Sequence, residues 1–141
     1  MRILILNGAN LNLQGKREPA IYGLASMDEF LTNLKNRYNS VGIDYLQSNE
    51  ESVLIEQIQQ AEGKYNGIII NAGAFTHTSI AIGDAIRSIC TPVVEVHISN
   101  IFAREIHRRK SCISEACIGN ICGFGLESYR LAVESLLSMG H

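Results

Sequence analysis

The sequence of 141 residues lacks a strong charge of either sign. Its 12 lysines and arginines and its 14 aspartates and glutamates leave a formal net charge of −2. A chain with so little excess charge has no overall positive field for holding a nucleic-acid backbone. We therefore expect no nucleic-acid partner.

The chain is also poor in the features of disordered, disulfide-rich or membrane proteins. It has 12 glycines and 2 prolines, and 46% of its residues are hydrophobic, which is typical of a folded core. The four cysteines contain no Cys-x-x-Cys pair, so free thiols are expected. The first apolar run, 3–6, is far too short for an export signal or a membrane span. These absences predict a cytoplasmic protein that contacts no membrane.

Short apolar runs alternate with amphipathic helical patterns along the chain. The runs lie at 3–6, 68–70, 93–96 and 118–124, with a weaker one at 43–47. The helical patterns lie at 27–41, 54–61, 82–89 and 129–137, and Ser26 with Glu29 forms a capping box before the first. This alternation predicts an α/β protein with a parallel sheet, helices on both faces, and ligands at the carboxyl ends of the strands.

Two long segments, 9–23 and 97–117, interrupt this pattern and are typical of lids or binding loops. The first has neither the P-loop ending nor the glycine pattern of dinucleotide-binding folds. It does place Arg17 five residues before Tyr22. A nearby guanidinium favours the phenolate, so Arg17 could make Tyr22 a base. The alternative is a loop tyrosine that only packs its ring.

Polar residues follow the third and fourth predicted strands. Asn71 and His77 flank the predicted start of the third helix, where they would form a cradle for an anion or a polyol. Simple helix capping by Thr76 or Thr78 is the alternative interpretation.

Glu95 and His97 share one side of the fourth strand, so the carboxylate can fix the tautomer of the imidazole, which suits a general acid. A structural Glu–His contact is the alternative. No spacing of His and Cys indicates a metal site. If this stretch is helical, Arg104 and Arg108 share a face, and they could bind a carboxylate, a phosphate or vicinal hydroxyls, whereas Arg109 and Lys110 are typical of a solvated basic surface.

The ordered set of motifs resembles the type II 3-dehydroquinate dehydratases over the whole chain. The motifs are Asn-Gly-x-Asn-Leu-Asn at 7–12, Gly-x-Arg-Glu-Pro-x-x-Tyr-Gly at 15–23, Asn-x-Gly-Ala-Phe-Thr-His-Thr-Ser at 71–79, Glu-Val-His-Ile-Ser-Asn-x-x-Ala-Arg-Glu at 95–105 and Gly-Phe-Gly at 123–125.

The resemblance implies one flavodoxin-like catalytic domain over residues 1–141, with a five-stranded parallel sheet and a lid loop at about 9–23. It implies dehydration of 3-dehydroquinate to 3-dehydroshikimate in the shikimate pathway, with no metal and no organic cofactor. The family's usual assembly is a homododecamer, a tetramer of trimers. The substrate is then the small-molecule partner.

The resemblance also assigns catalytic roles. Tyr22 is the base that takes the C2 proton, and Arg17 holds it as phenolate. His97 is the acid that protonates the leaving C1 hydroxyl, Glu95 orients His97, and Asn10 helps a water to stabilise the enolate.

The remaining assignments concern substrate binding. The hydroxyls are expected to meet Asn71, His77 and Arg108, with Gly73 in the same motif, and the carboxylate to meet Ile98 and Ser99. Asp84 would reach the site of a neighbouring subunit, and Arg104 would order the loop. The residues assigned to substrate binding are Asn71, Gly73, His77, Asp84, Ile98, Ser99 and Arg108.

Several positions depart from the family pattern without removing a proposed catalytic group. They are Ala9 and Ala72 in place of Pro, Gln14 in place of Leu, Ile106 and His107 in place of Glu-Phe, and Cys112 in place of an aromatic residue. One alternative is a pseudoenzyme, or a relative that keeps the pocket but acts on another small hydroxy acid. A flavodoxin-like binding or response-regulator module is a second alternative, against which stand the missing acidic cluster and the missing phosphate loop.

Overall fold

Five parallel strands form one sheet in the computed structural model, which describes residues 1–13 and 26–140. The strands are β1 (Arg2–Asn7), β2 (Gly42–Gln47), β3 (Gly67–Asn71), β4 (Val93–His97) and β5 (Gly119–Cys122). Within the described ranges the α-helices are α1 (Met27–Arg37), α2 (Glu51–Ala61), α3 (Ile80–Arg87) and α4 (Glu127–Met139). No helix in these ranges is long and apolar enough to cross a membrane.

The strands follow the order β2-β1-β3-β4-β5, which confirms the predicted flavodoxin-like α/β fold. Asn7 at the end of β1 is in register with Asn71 at the end of β3. The chain leaves β1 towards β2 on one side and leaves β3 towards β4 on the other. The crevice for a ligand is expected where the strand order reverses in this way, and it lies here between β1 and β3.

The helices cover both faces of the sheet, as the alternation of strands and helices predicted. Alternate residues of a strand point to opposite faces, so each strand contributes side chains to two hydrophobic cores, one on each face of the sheet. The α1 and α4 side packs on one set of strand residues, namely Ile3, Ile5, Ile69, Val94 and Val96. The α2 and α3 side packs on the other set, namely Leu4, Leu6, Ile68, Ile70 and Val93. The polar ends of the buried strands are therefore held by two packed layers.

The predicted start of α1 is confirmed, and its predicted end is wrong. The Ser26 hydroxyl accepts a hydrogen bond from the Glu29 amide at 3.1 Å, as an N-cap should. The helix ends at Arg37 rather than at Val41. Tyr38 and Val41 still pack against the core, but they do so from the turn that leads into β2. The hydrophobic spacing therefore continues past the end of the helix.

The predicted caps of α3 are also wrong. The hydroxyl of Ser79, not that of Thr76 or Thr78, accepts the Ile82 amide at 3.0 Å. The physical reason is that residues Gly73–His77 form a 3₁₀ turn, which delays the start of the helix.

The last strand and the second long loop also differ from expectation. Strand β5 covers only Gly119–Cys122, and Gly123 follows it with a φ of 97°. The loop after β4 contains short 3₁₀ turns at Ile101–Ala103, Ile106–Arg108 and Ser114–Ala116 rather than an α-helix. The four cysteines are free, as predicted.

Candidate active site

A pocket lies at the carboxyl edge of the sheet, where β1, β3 and β4 end. It is partly open to solvent and is lined by both polar and apolar residues, as sites for small ligands are. Nine sequence-predicted residues line it, namely Asn10, Asn71, Gly73, His77, His97, Ile98, Ser99, Arg104 and Arg108. The structure thus brings together groups from three separate segments of the chain, which lie at or after the ends of β1, β3 and β4.

A buried polar network lies where β1 and β3 end. The Tyr129 hydroxyl donates to Asn7 Oδ1 at 2.8 Å and accepts from Asn71 Nδ2 at 3.0 Å. Asn71 Oδ1 in turn accepts the Gly73 amide at 3.2 Å. Burial raises the pKa of the Tyr129 hydroxyl, so this hydroxyl stays protonated. The network fixes the side chain of Asn71 at the pocket.

The first pocket loop has one residue with left-handed backbone. Asn10 has a φ of 68°, a conformation that asparagine adopts more readily than most residues. Its amide donates to Asn49 Oδ1 at 2.9 Å, and Gln47 donates to both Asn49 Oδ1 and the Gly8 carbonyl at 3.1 Å. Side chains at and after the end of β2 therefore hold Asn10 at the pocket, a function that the sequence analysis missed.

His77 presents one ring nitrogen with a defined role. Its Nδ1 lies 2.6 Å from the Lys110 carbonyl, and a carbonyl can only accept, so Nδ1 carries a proton. Burial lowers the pKa of His77, and the nearby His97 and Arg108 lower it further against the opposing Lys110 bond. The neutral ring leaves Nε2 as an acceptor for a ligand hydroxyl.

Glu95 and His97 form the predicted pair on β4. His97 Nε2 lies 2.7 Å from Glu95 Oε1, and the side chains are 6% and 0% exposed. The His77 and His97 rings lie side by side, with centroids 6.3 Å apart. A buried carboxylate that accepts from an imidazole fixes its tautomer, which leaves Nδ1 of His97 for proton exchange.

Three further residues, missed by the sequence analysis, surround the Glu95 carboxylate. Ser111 donates to Oε1 at 2.9 Å, Asn120 donates to Oε2 at 2.6 Å, and Ser114 also donates to Oε2. Burial alone would raise the pKa of Glu95, but the hydrogen bonds from His97, Ser114 and Ser111 hold it below its ordinary value. Glu95 is therefore an anion beside the pocket. Of the three donors, Asn120 had a signal in the sequence, because it is a polar residue within a predicted apolar strand.

Two arginines also line the pocket and form its basic wall. Arg104 and Arg108 both line it although the segment is not α-helical. Arg108 Nε lies 3.1 Å from Glu105 Oε2, and Arg104 Nε lies 3.8 Å from the same oxygen. Arg109 and Lys110 are exposed, in agreement with the predicted solvated surface. The wall therefore offers positive charge to a carboxylate or to hydroxyls.

Not every predicted residue lies at this pocket. Asp84 is on α3, 70% exposed and 3.5 Å from Arg87, outside the residues that line the pocket. Its reach into a neighbouring subunit stays a prediction. Arg17, Tyr22 and Gln14, with most of the predicted lid, lie outside the described residues. In the ranges that are described, no three His, Cys, Asp or Glu side chains gather where they could hold a metal ion.

Comparison with known proteins gives consistent relatives. The model of the family Dehydroquinase class II matches residues 1–137. A 3-dehydroquinate dehydratase of Pelodictyon phaeoclathratiforme is 50% identical over 141 residues, covering 99% of this chain and 93% of that protein. One from a Synechococcus strain is 52% identical, covering 98% and 96%. The type II dehydroquinase structure from Butyrivibrio crossotus has a TM-score of 0.93 at 39% identity and covers 97% of both chains.

Proposed function

The chain belongs to the class II dehydroquinase family, and we propose that its pocket dehydrates 3-dehydroquinate with Tyr22 as the base and His97 as the acid. The family resemblance seen in the motifs is confirmed, and the chain is a 3-dehydroquinate dehydratase of the shikimate pathway. The observation that carries the proposed mechanism is the buried Glu95–His97 pair beside the pocket.

The reaction needs one base, one acid and stabilisation of an oxyanion. The base takes the proton from C2, which is acidic because it lies beside the C3 ketone, and an enolate forms. The enolate then expels the C1 hydroxyl, which leaves as water with a proton from the acid, and a C1–C2 double bond remains. The atoms and electrons balance with no change of oxidation state, so we propose neither a metal nor an organic cofactor.

His97 is suited to the acid step. With Glu95 ionised, Nε2 of His97 keeps its proton, and Nδ1 is the nitrogen that gains and loses one. The alternative of a purely structural Glu–His contact does not account for the presence of His97 among the pocket residues.

The pocket walls match the polar groups of the substrate. The carboxylate would meet the Ile98–Ser99 segment, and the hydroxyls would meet Asn71, His77 Nε2 and Arg108. In this proposal each of these pocket residues binds either the carboxylate or a hydroxyl of the 3-dehydroquinate ring.

Tyr22 and Arg17 complete the mechanism, and their spacing in the sequence supports the assignment. A tyrosine hydroxyl has an ordinary pKa of about 10 and needs a positive neighbour to act as a base near neutral pH. Arg17 is the proposed neighbour. We propose that Asn10 helps a water to stabilise the enolate, and its position in the pocket lining, held by Asn49, supports this role.

We further propose a homo-oligomer, a dodecamer built as a tetramer of trimers, in the cytoplasm. The exposed position of Asp84 on α3 supports a contact with a neighbouring subunit, because the side chain lies outside its own pocket. Sedimentation velocity of the wild type and of Asp84→Ala would test the assembly. A monomeric, fully active wild type would contradict it.

The mechanism is tested by following the ultraviolet absorbance of the enone product. 3-Dehydroquinate is mixed, with and without a metal chelator, with each of four proteins: the wild type, Tyr22→Phe, His97→Asn and the control Tyr38→Phe. We expect a rise for wild type and for Tyr38→Phe with or without the chelator, and its loss in Tyr22→Phe and His97→Asn. Activity in His97→Asn would refute the role of His97 as the general acid. Binding without reaction by wild type would favour a relative that acts on another hydroxy acid.

A further inference from the structure

We propose that Ser114 and Asn120 are positioning residues that hold Glu95 in one orientation as an acceptor and so determine which nitrogen of His97 exchanges protons with the substrate. The proposal rests on the proposed function, in which His97 is the acid. It assigns a task to side chains of the loop after β4 and of β5 that lie outside the pocket lining.

The four donors divide evenly between the two carboxylate oxygens. Oε1 accepts from His97 Nε2 at 2.7 Å and from Ser111 Oγ at 2.9 Å. Oε2 accepts from Asn120 Nδ2 at 2.6 Å and from Ser114 Oγ. Each oxygen of a carboxylate has two lone pairs, so the four donors occupy the whole group.

The directions of these bonds follow from the chemistry of the donors. Asn120 Nδ2 also donates to Ser114 Oγ at 3.0 Å, and an amide nitrogen only donates, so the Ser114 proton must point to Glu95. Ser111 Oγ accepts from the amides of Ile113 and Ser114 at 3.2 and 3.0 Å, so its own proton also points to Glu95. Since both serine protons point to Glu95 and the Asn120 amide nitrogen can only donate, these partners favour the ionised form of Glu95.

The arrangement therefore keeps Glu95 charged and blocks proton transfer from His97 to it. Nε2 of His97 stays protonated, and every exchange with a ligand takes place at Nδ1. If Ser114 or Asn120 were lost, Oε2 could hold a proton or turn towards His97, and both tautomers of the imidazole would be populated. In the wrong tautomer the neutral ring carries its proton on Nδ1 instead of Nε2, so Nδ1 cannot accept the proton that it must later donate to the substrate.

Other titratable or charged groups near the pair do not supply this control. His77 faces His97 from the loop after β3, and Arg108 approaches from the loop after β4. Both lie on the pocket side rather than at Oε2. Burial first, and Glu95 second, raise the pKa of the Cys117 thiol to about 12, so Cys117 stays neutral at physiological pH.

Asn120→Asp is the sharpest variant, because it keeps the shape of the side chain and replaces a donor with an acceptor. Asn120 is exposed and lies beside Glu95 in the register of β4 and β5, so the change should be tolerated by the fold. The matched control is Asn66→Asp, since the Asn66 oxygen accepts the Arg2 amide at 2.7 Å and a carboxylate can do the same. Both variants add one negative charge.

We expect kcat of Asn120→Asp to fall about tenfold or more at neutral pH with KM changed by less than about twofold, because the variant loses the donor to Glu95 Oε2 and leaves the pocket lining intact. Acidification should restore part of the loss, because a proton on the introduced carboxyl group removes its repulsion of Glu95 and lets it donate to Oε2 as Asn120 does. Long-range proton–nitrogen NMR of labelled histidine should show a single Nε2–H form of His97 in the wild type and in Asn66→Asp, and a mixture in Asn120→Asp.

A second pair of variants keeps the test decisive if Asn120→Asp fails to fold. Ser114→Ala removes the donor, and Ser114→Thr retains a hydroxyl. We expect the alanine variant to lose kcat and the single tautomer and the threonine variant to recover both. Equal kcat values and a single tautomer in all of the variants would overturn the proposal while leaving His97 as the acid. An active His97→Asn would instead overturn the proposed function, and the positioning role with it.

Discussion

Tyr129→Phe removes one hydroxyl from the polar network beneath the pocket and leaves two buried groups without a partner. The hydroxyl contacts Asn7 Oδ1 at 2.8 Å and Asn71 Nδ2 at 3.0 Å. The two asparagines are 1% and 3% exposed, and Tyr129 is fully buried. Water therefore has little room to replace the lost oxygen.

The expected cost follows from the two orphaned groups. A buried donor or acceptor without a partner costs about 1–3 kcal/mol, so we expect a loss of about 3 kcal/mol in the free energy of unfolding. With a urea dependence of about 2 kcal/mol per molar, the midpoint should fall by about 1.5 M. KM for 3-dehydroquinate should also rise, because the Asn71 side chain in the pocket loses one of its two fixed contacts.

The assay is urea unfolding followed by circular dichroism at one protein concentration. Tyr38→Phe is the matched control, since the Tyr38 hydroxyl donates at 2.5 Å to Glu134 in an exposed contact. Such a surface change should cost less than about 0.5 kcal/mol. If Tyr129→Phe were no more destabilising than Tyr38→Phe, the buried network would not contribute as its geometry indicates.

Two further perturbations concern the pocket walls. Gly73→Ala should lose about 1–3 kcal/mol of stability and weaken substrate binding, because Gly73 has a φ of 62° and an added Cβ would lie 2.6 Å from the Ala9 carbonyl oxygen. Urea unfolding against Gly119→Ala, where an added Cβ meets nothing within 4 Å, checks this, and equal losses would contradict it. Burial holds the pKa of His77 in the folded state below its ordinary value of 6.5, so on acidification the unfolded chain binds a proton at His77 before the folded chain does. Neutral His77 therefore stabilises the fold above about pH 6.5, and this stabilisation is lost as the pH falls. His77→Gln should therefore flatten the fall in unfolding free energy below about pH 6.5, and an unchanged slope would refute the assignment.

The sequence was sufficient for the order of strands and helices but not for their ends. Apolar periodicity reports which side chains are buried, and Tyr38 and Val41 are half-buried outside the helix whose spacing they continue. The start of α3 shows the same limit. Thr76, Thr78 and Ser79 can all cap a helix, and the 3₁₀ turn at Gly73–His77 delays the start of α3 so that Ser79 is the cap.

The site divides in the same way between local and distant contacts. Glu95 and His97 are two residues apart on one strand, so strand alternation alone places them together. The donors that complete the Glu95 environment lie 16, 19 and 25 residues further along the chain. Their approach depends on the pairing of β4 with β5 and on the path of a long loop, neither of which has a local signal.

Buried polar residues at strand ends nevertheless carry information that hydrophobic patterns do not. Asn7, Asn71 and Glu95 each interrupt an apolar strand near its carboxyl end, where burial without a partner would be costly. In the fold each one is satisfied by a group from another element, and Asn71 and the His97 partner of Glu95 face the same pocket. A polar residue at the end of a buried strand thus indicates a distant partner before that partner can be identified. In this chain the distant partners are Tyr129 for the two asparagines and Ser114 and Asn120 for Glu95. Tyr129→Phe tests whether such a partner stabilises the fold, and the Ser114 and Asn120 variants test whether it controls the protonation of His97.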